Sequence, residues 1–256
     1  MNSRQVILRG LLVNYYFDES APSASPAVVF LHGWRSNALI WHPVTAALVK
    51  KYAVYALDFP GFGGSEVPKE GLHLKEYAQL VAEFIRKLGL RQVCLVGHSF
   101  GGRVAIKLAV MEPKLIERLV LVDSGGIRTA EKRRRAIMAF AKILHPVFAL
   151  PLLRKVRPTI YNFLGAEDYL ATPELKETFL NIIEEEPTPY LREVRCKTLI
   201  IWGEHDQEAP LAAGRIKERL IPSARLVVFP KSGHFSFLDR PQEFSSELEK
   251  FLNEPS

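Results

Sequence analysis

Val93-Cys94-Leu95-Val96-Gly97-His98-Ser99-Phe100-Gly101-Gly102 is the stretch on which the reading of this chain turns. Its first four residues are apolar and partly β-branched, the composition of a buried strand. From Gly102 to Val110 the sequence turns helical, and the pattern G-x-S-x-G lies between the two. Composition alone produces that pattern in roughly one chain in ten of this length, so its setting carries the argument. A strand that enters a helix through one sharp turn holds the middle residue in a strained conformation, and flanking glycines let strand and helix approach. The Ser99 hydroxyl is then raised at a helix N-terminus, where free amides and the helix dipole favour negative charge.

On either side of this turn, short apolar runs recur with helical patterns between them. Strands are expected at Val6 to Leu8, Leu11 to Tyr16, Ala27 to Leu31, Ala53 to Leu57, Val93 to Val96, Leu119 to Val122, Thr198 to Trp202 and Leu226 to Phe229. The clearest helix runs from Leu74 to Leu88, with Tyr77, Leu80, Val81, Phe84, Ile85 and Leu88 on one stripe and Gly89 as its stop. This order predicts an α/β fold with a mostly parallel eight-stranded sheet flanked by helices. Between Gly126 and Thr188 the alternation breaks into Leu- and Phe-rich, helix-like segments at Ala130 to Leu144 and Pro173 to Ile183, with a proline-punctuated stretch between them. A helical cap inserted at 126–188 is expected there, dividing a core made of 1–125 and 189–256.

Hydrophobic residues at 48% and charged residues at 24% place the chain among globular proteins and away from disordered or fibrous ones. No apolar run reaches the roughly 18 residues of a membrane span, and the first residues alternate like a strand instead of forming a leader. A cytoplasmic protein is expected. Two cysteines, Cys94 and Cys196, are too few for a disulfide framework and read as reduced core thiols.

Serine needs a base to take its proton, and the base needs a carboxylate to fix its tautomer. Of seven histidines, His234 in Lys231-Ser232-Gly233-His234-Phe235 follows the last expected strand and so reaches the sheet edge that carries Ser99. His98 is locked beside the serine, and His205 directly precedes a better acid. Asp206, after Gly203-Glu204-His205, can reach His234. Asp123, at the end of Leu119 to Val122, is its rival and otherwise a strand-end turn residue, while Asp58 is assigned to shaping its own Gly- and Pro-rich loop. A tetrahedral oxyanion would be held by the backbone amides of Phe100 and of Trp34, the latter from Leu31-His32-Gly33-Trp34 after the third strand.

Taken together, Leu31-His32-Gly33, Asp58-Phe59-Pro60-Gly61-Phe62-Gly63, Gly97-His98-Ser99-Phe100-Gly101-Gly102, Gly203-Glu204-His205-Asp206 and Gly233-His234 resemble the α/β-hydrolase superfamily. The resemblance implies a Ser-Asp-His triad and no metal or organic cofactor. It also implies an acyl-enzyme route, most simply a carboxylic ester hydrolase. Carbon-carbon hydrolases, perhydrolases and a few hydrolase-fold receptors share the scaffold. Epoxide hydrolases and haloalkane dehalogenases carry an aspartate where this chain has Ser99. A closer resemblance, at Leu31 to Ala38, Trp41 and Asp58 to Ser65 in about the first quarter of the chain, is to the esterases of biotin synthesis that cleave the methyl ester of pimeloyl-acyl-carrier protein.

The formal charge of +6 is concentrated in the expected cap. From Arg128 to Arg157 nine basic residues, including Lys132, Arg133, Arg134 and Arg135, face the single Glu131. They are not interleaved with aromatics as nucleic-acid surfaces are. A solvated helix face is one reading, docking of an acidic ligand or of an acidic carrier protein that brings an acyl-chain ester is a second, and an anionic membrane surface is a third.

Overall fold

The structure, a computed structural model, describes residues 1–18, 20, 25–46, 48–127 and 172–255. Eight strands form one sheet: β1 (Asn2–Leu8), β2 (Leu11–Phe17), β3 (Ala27–Leu31), β4 (Ala53–Leu57), β5 (Val93–His98), β6 (Ile116–Val122), β7 (Lys197–Gly203) and β8 (Ala224–Phe229). Their spatial order is β1-β2-β4-β3-β5-β6-β7-β8. The first two pairings in that order are antiparallel and the other five parallel.

The expected strands are all present, and most extend further than their apolar runs. β1 begins at Asn2, through residues that are mostly exposed and polar. A hairpin decides this: Arg9 and Gly10 both take positive φ, 49° and 78°, the geometry of the tight turn whose twist matches antiparallel strands. With Leu8 opposite Leu11, pairing continues to Asn2 opposite Phe17 without any apolar face on Asn2, Ser3 or Gln5.

β3, β5 and β6 are buried along nearly their whole length, as strands covered on both faces must be. Alternate residues face opposite ways. Val29, Leu31, Leu95, Leu119 and Leu121 join the core under the helices Leu74–Lys87 and Phe100–Met111. Val28, Phe30, Val96, Val120 and Val122 join the core under Trp41, Phe237, Phe244 and Phe251. Trp41 is fully buried there and stacks on Phe237 with ring centroids 4.2 Å apart. Cys94 and Cys196 are free thiols.

Parallel strands put all their C-terminal ends on one edge. In the order β4-β3-β5-β6 the chain winds one way from β3 and the other way from β5, so a crevice opens between those two ends. The loops after β3, β5, β6, β7 and β8 carry Trp34, Ser99, Asp123, Asp206 and His234.

Of the expected cap, Ala130 to Leu144, the proline-punctuated stretch and the basic run Lys132 to Arg135 lie outside the described residues. Pro173 to Ile183 is a 3-10 turn, Pro173–Leu175, followed by the helix Lys176–Glu184. This helix is tied to the helical layer that covers the sheet: Thr178 Oγ1 accepts the amide of Leu72, just before the helix Leu74–Lys87, at 3.0 Å, and the buried Arg103 of the helix Phe100–Met111 donates to the Ile182 and Glu185 carbonyls. Among the described residues no helix is long and apolar enough to cross a membrane.

Candidate active site

Ser99 takes φ 49° and ψ −110° between β5 and the helix Phe100–Met111, a conformation a side chain other than glycine adopts only under constraint. The constraint is contact on both flanks. A Cβ at Gly97 would lie 2.5 Å from the Gly101 carbonyl oxygen, and one at Gly101 would lie 2.4 Å from that of Leu31. The glycines that the sequence places around the serine are therefore required by backbone packing, and they press the turn against the end of β3.

Ser99 Oγ lies 3.0 Å from His234 Nε2, and His234 Nδ1 lies 2.8 Å from Asp206 Oδ2. Asp206 is held in turn by its other oxygen, which accepts the amides of Glu208 at 2.9 Å and Ala209 at 2.8 Å. A carboxylate of this kind accepts only, so His234 carries its proton on Nδ1 and offers the Nε2 lone pair to the Ser99 hydroxyl. The Asp206 side chain is fully buried and that of His234 is 8% exposed. Burial is the largest influence on His234 and opposes its charge, but the Asp206 hydrogen bond and charge, with Glu208 and Asp123 farther off, outweigh it. The pKa stands above the ordinary imidazole value.

The loop after β3 passes directly beside the serine, since a Cβ at Gly33 would be 3.3 Å from that of Ser99. His32 governs this loop. Its Nε2 accepts the Phe59 amide at 2.9 Å, so its proton sits on Nδ1, which donates to the Gly33 carbonyl at 2.7 Å. The Gly33 carbonyl and the Trp34 amide belong to one trans peptide, so the Trp34 N–H points the opposite way, away from His32. Neither the Trp34 nor the Phe100 amide has a hydrogen-bond partner among the described residues. Phe100, as the first residue of its helix, has no partner within it. Asp58 takes the Ala38, Gly64 and Asn14 donors of its own neighbourhood.

Three features escaped the sequence reading. His98 donates from Nε2 to the His234 carbonyl at 2.7 Å and so fixes the backbone of that loop. Burial pushes its pKa down to about 3. Glu208, whose side chain is 69% exposed, brings Oε2 to 3.5 Å from His234 Nε2, the nitrogen that faces the serine. Asp123 does not contact His234. It is fully buried, accepting the Gly203 amide at 2.7 Å and the Ser236 hydroxyl and amide at 2.6 and 3.1 Å. Burial raises its carboxyl to about 7, against the pull of the Ser236 and Gly203 hydrogen bonds. The signal for His98 and Asp123 is positional, each ending a parallel strand at this edge; Glu208 has none, because a turn folds it back. Among the described residues no group of three or more His, Cys, Asp or Glu side chains could hold a metal ion.

Comparison with known proteins agrees with this architecture. The pimeloyl-[acyl-carrier protein] methyl ester esterase of Nitrosomonas europaea is 30% identical over 242 residues, 86% of this chain and 93% of that one. The similarity thus runs far beyond the motifs between Leu31 and Ser65. The 2-hydroxy-6-oxo-6-phenylhexa-2,4-dienoate hydrolase of Comamonas testosteroni is 28% identical over 255 residues, covering 89% and 88%. The solved esterase of Exiguobacterium antarcticum superposes with a TM-score of 0.78 over 98% of this chain and 99% of its own, at 21% identity, a likeness of fold. Residues 28–247 match the model of the alpha/beta hydrolase family, to which this chain belongs.

Proposed function

We propose that this chain is a serine hydrolase that cleaves a carboxylic ester through an acyl-enzyme, with Ser99 as nucleophile, His234 as general base and Asp206 as the orienting acid. The observation that carries the proposal is the continuous chain of hydrogen bonds from Ser99 Oγ through His234 to Asp206, 3.0 and 2.8 Å. Ser99 Oγ attacks the ester carbonyl as its proton passes to His234 Nε2. The carbonyl oxygen becomes an oxyanion between the Trp34 and Phe100 amides. Collapse expels the alcohol, which takes the proton from Nε2. A water then gives its proton to the same nitrogen, attacks the acyl carbonyl, and frees the acid and Ser99.

The segment 126–188 is read as a cap over this site and the rest of the chain as the core. In support, Phe179 packs against the Trp34 ring at 5.4 Å. The named activity of the Nitrosomonas relative favours an acyl-chain ester, and an acidic carrier protein docking on the basic cap would be its vehicle. The cytoplasm is the compartment such a substrate would require. The Comamonas relative favours a second reading, carbon-carbon hydrolysis on the same three residues. A panel of p-nitrophenyl esters of increasing chain length, run beside a fluorophosphonate label, tests the proposal. Wild type should turn over and label, while Ser99→Ala should fold, resist the label and lose at least about three decades of kcat. Multiple turnovers would also exclude a receptor, which stalls after one. A folded, uncontaminated Ser99→Ala with wild-type turnover would refute the mechanism.

A further inference from the structure

Asp123 takes no part in the chemistry above, yet it is a fully buried carboxylate held at φ 45°. Its backbone amide donates to the Ile201 carbonyl of β7 at 3.0 Å. Its two oxygens divide between two loops. Oδ1 accepts the amide of Gly203, three residues before Asp206, and Oδ2 accepts the amide and hydroxyl of Ser236, two residues after His234. The same two segments are also joined by the His205 amide to the Ser232 carbonyl at 2.8 Å, the Glu204 amide to the Phe229 carbonyl at 3.0 Å and the Lys231 amide to the Glu204 carboxylate at 3.1 Å. Those three ties all fall before His234, whereas Asp123 holds the segment after it, through Ser236. Without Asp123 the segment after His234 loses this hold while the segment before it stays fixed, and the angle between the His234 Nδ1–H and the Asp206 carboxylate opens.

We infer that Asp123 is a positioning residue, which sets the separation and angle of the loops carrying Asp206 and His234. This rests on the proposed triad. The three donors explain why the residue is an acid: two backbone N–H groups approach from opposite sides, and only a carboxylate accepts on both oxygens. Asparagine, with one oxygen, must leave the Gly203 or the Ser236 amide facing another donor. Small displacements of a general base are costly, of the order of a hundredfold for about 1 Å.

The test compares wild type, Asp123→Asn and Ser236→Ala as full chains. Three readouts serve: kcat and KM on p-nitrophenyl butyrate, the rate of fluorophosphonate labelling, and the low-field proton resonance of His234 Nδ1–H. Asp123→Asn should lose about ten- to a hundredfold in kcat and in labelling rate. Its KM should stay within about twofold, and its low-field resonance should broaden or shift. Ser236→Ala keeps two of the three bonds and should lose only a few-fold, with a smaller change in the resonance. A folded Asp123→Asn with the resonance unmoved overturns the inference, whatever its activity. So does a loss in which KM carries the effect. If Asp123→Asn does not fold, Ser236→Ala decides: an unmoved resonance and unchanged kcat overturn it. If wild-type protein is not labelled at all, the serine mechanism is what has failed, and the resonance still reports whether Asp123 holds His234 against Asp206.

Discussion

Replacing Asp206 with asparagine changes one atom and, by the hydrogen bonds around it, should invert the proton arrangement of the site. Asp206 Oδ1 accepts two backbone amides, from Glu208 at 2.9 Å and Ala209 at 2.8 Å. An asparagine must keep its single oxygen there. Reversing it would set an NH2 group against two N–H donors and forfeit both bonds, each worth about 1 kcal/mol net and more where a buried donor is left unpaired. The new Nδ2 therefore occupies the place of Oδ2, 2.8 Å from His234 Nδ1. Nδ2 can only donate, so the ring nitrogen must accept and the imidazole proton moves to Nε2. That nitrogen lies 3.0 Å from Ser99 Oγ, and it then presents a hydrogen where the mechanism needs a lone pair. The corresponding swap in serine proteases fails through the same wrong tautomer and costs about 10⁴ in kcat. Three to four decades are expected here, about 4 to 5.5 kcal/mol at 1.36 kcal/mol per decade. The assay is steady-state hydrolysis of p-nitrophenyl butyrate, with a thermal melt to show that the fold persists. A folded Asp206→Asn with kcat within tenfold of wild type would refute both the acid assignment and the tautomer argument.

Because His234 must be neutral to accept the serine proton, and its pKa stands above 6.5, kcat/KM should fall as pH drops through that raised value. A midpoint below 6.5 would contradict the Asp206 contact. Glu208→Gln removes a negative charge 3.5 Å from Nε2. This makes the neutral ring easier to keep, so the acid limb should move to lower pH, by less as salt is added; an upward shift would refute the sign. Changing Lys132, Arg133, Arg134 and Arg135 together to alanine should raise KM for an acyl-carrier substrate about tenfold or more at low salt, with kcat/KM for a small neutral ester kept within roughly twofold. Equal loss on both substrates would argue against docking.

The parts of this molecule that were legible in its sequence are those fixed by backbone sterics and strand topology. Gly97 and Gly101 leave no room for a side chain, so the turn around Ser99 has a strict signature. β5, β6 and β7 are apolar runs because both faces are covered, and once they are parallel, Asp206 and His234 must follow at the edge that carries Ser99. The polar half of β1 was hidden for the opposite reason: the Arg9-Gly10 turn and register decide it, and Asn2 to Gln5 bury nothing that a hydropathy pattern records. Asp123 was readable as a strand-end residue, but its bonds run to Gly203 and Ser236, 80 and 113 residues away. Such a partnership exists only after the sheet is assembled.

Three imidazoles at this edge show how burial sorts one side chain into different tasks. Burial is the leading influence on all three. In His32 and His98 it lowers the pKa to about 4 and about 3, because neither ring has a carboxylate hydrogen-bonded to it. Each therefore stays neutral at physiological pH, with one N–H spent on a backbone carbonyl, Gly33 for His32 and His234 for His98. His234 differs by the Asp206 contact, which reverses the direction of the shift. The difference matters because the His98 and His234 rings lie 4.9 Å apart. In the proposed mechanism His234 becomes cationic as Ser99 attacks, and a charged His98 at that distance would oppose it. Held neutral, His98 can fix the His234 backbone without charging the site, so the transient cation meets the carboxylates of Asp206, Glu208 and, farther off, Asp123. Environments that push chemically identical groups apart in pKa mark which of them moves the proton. That rule favours His234 as the base of the proposed mechanism, with His32 and His98 holding the backbone around it.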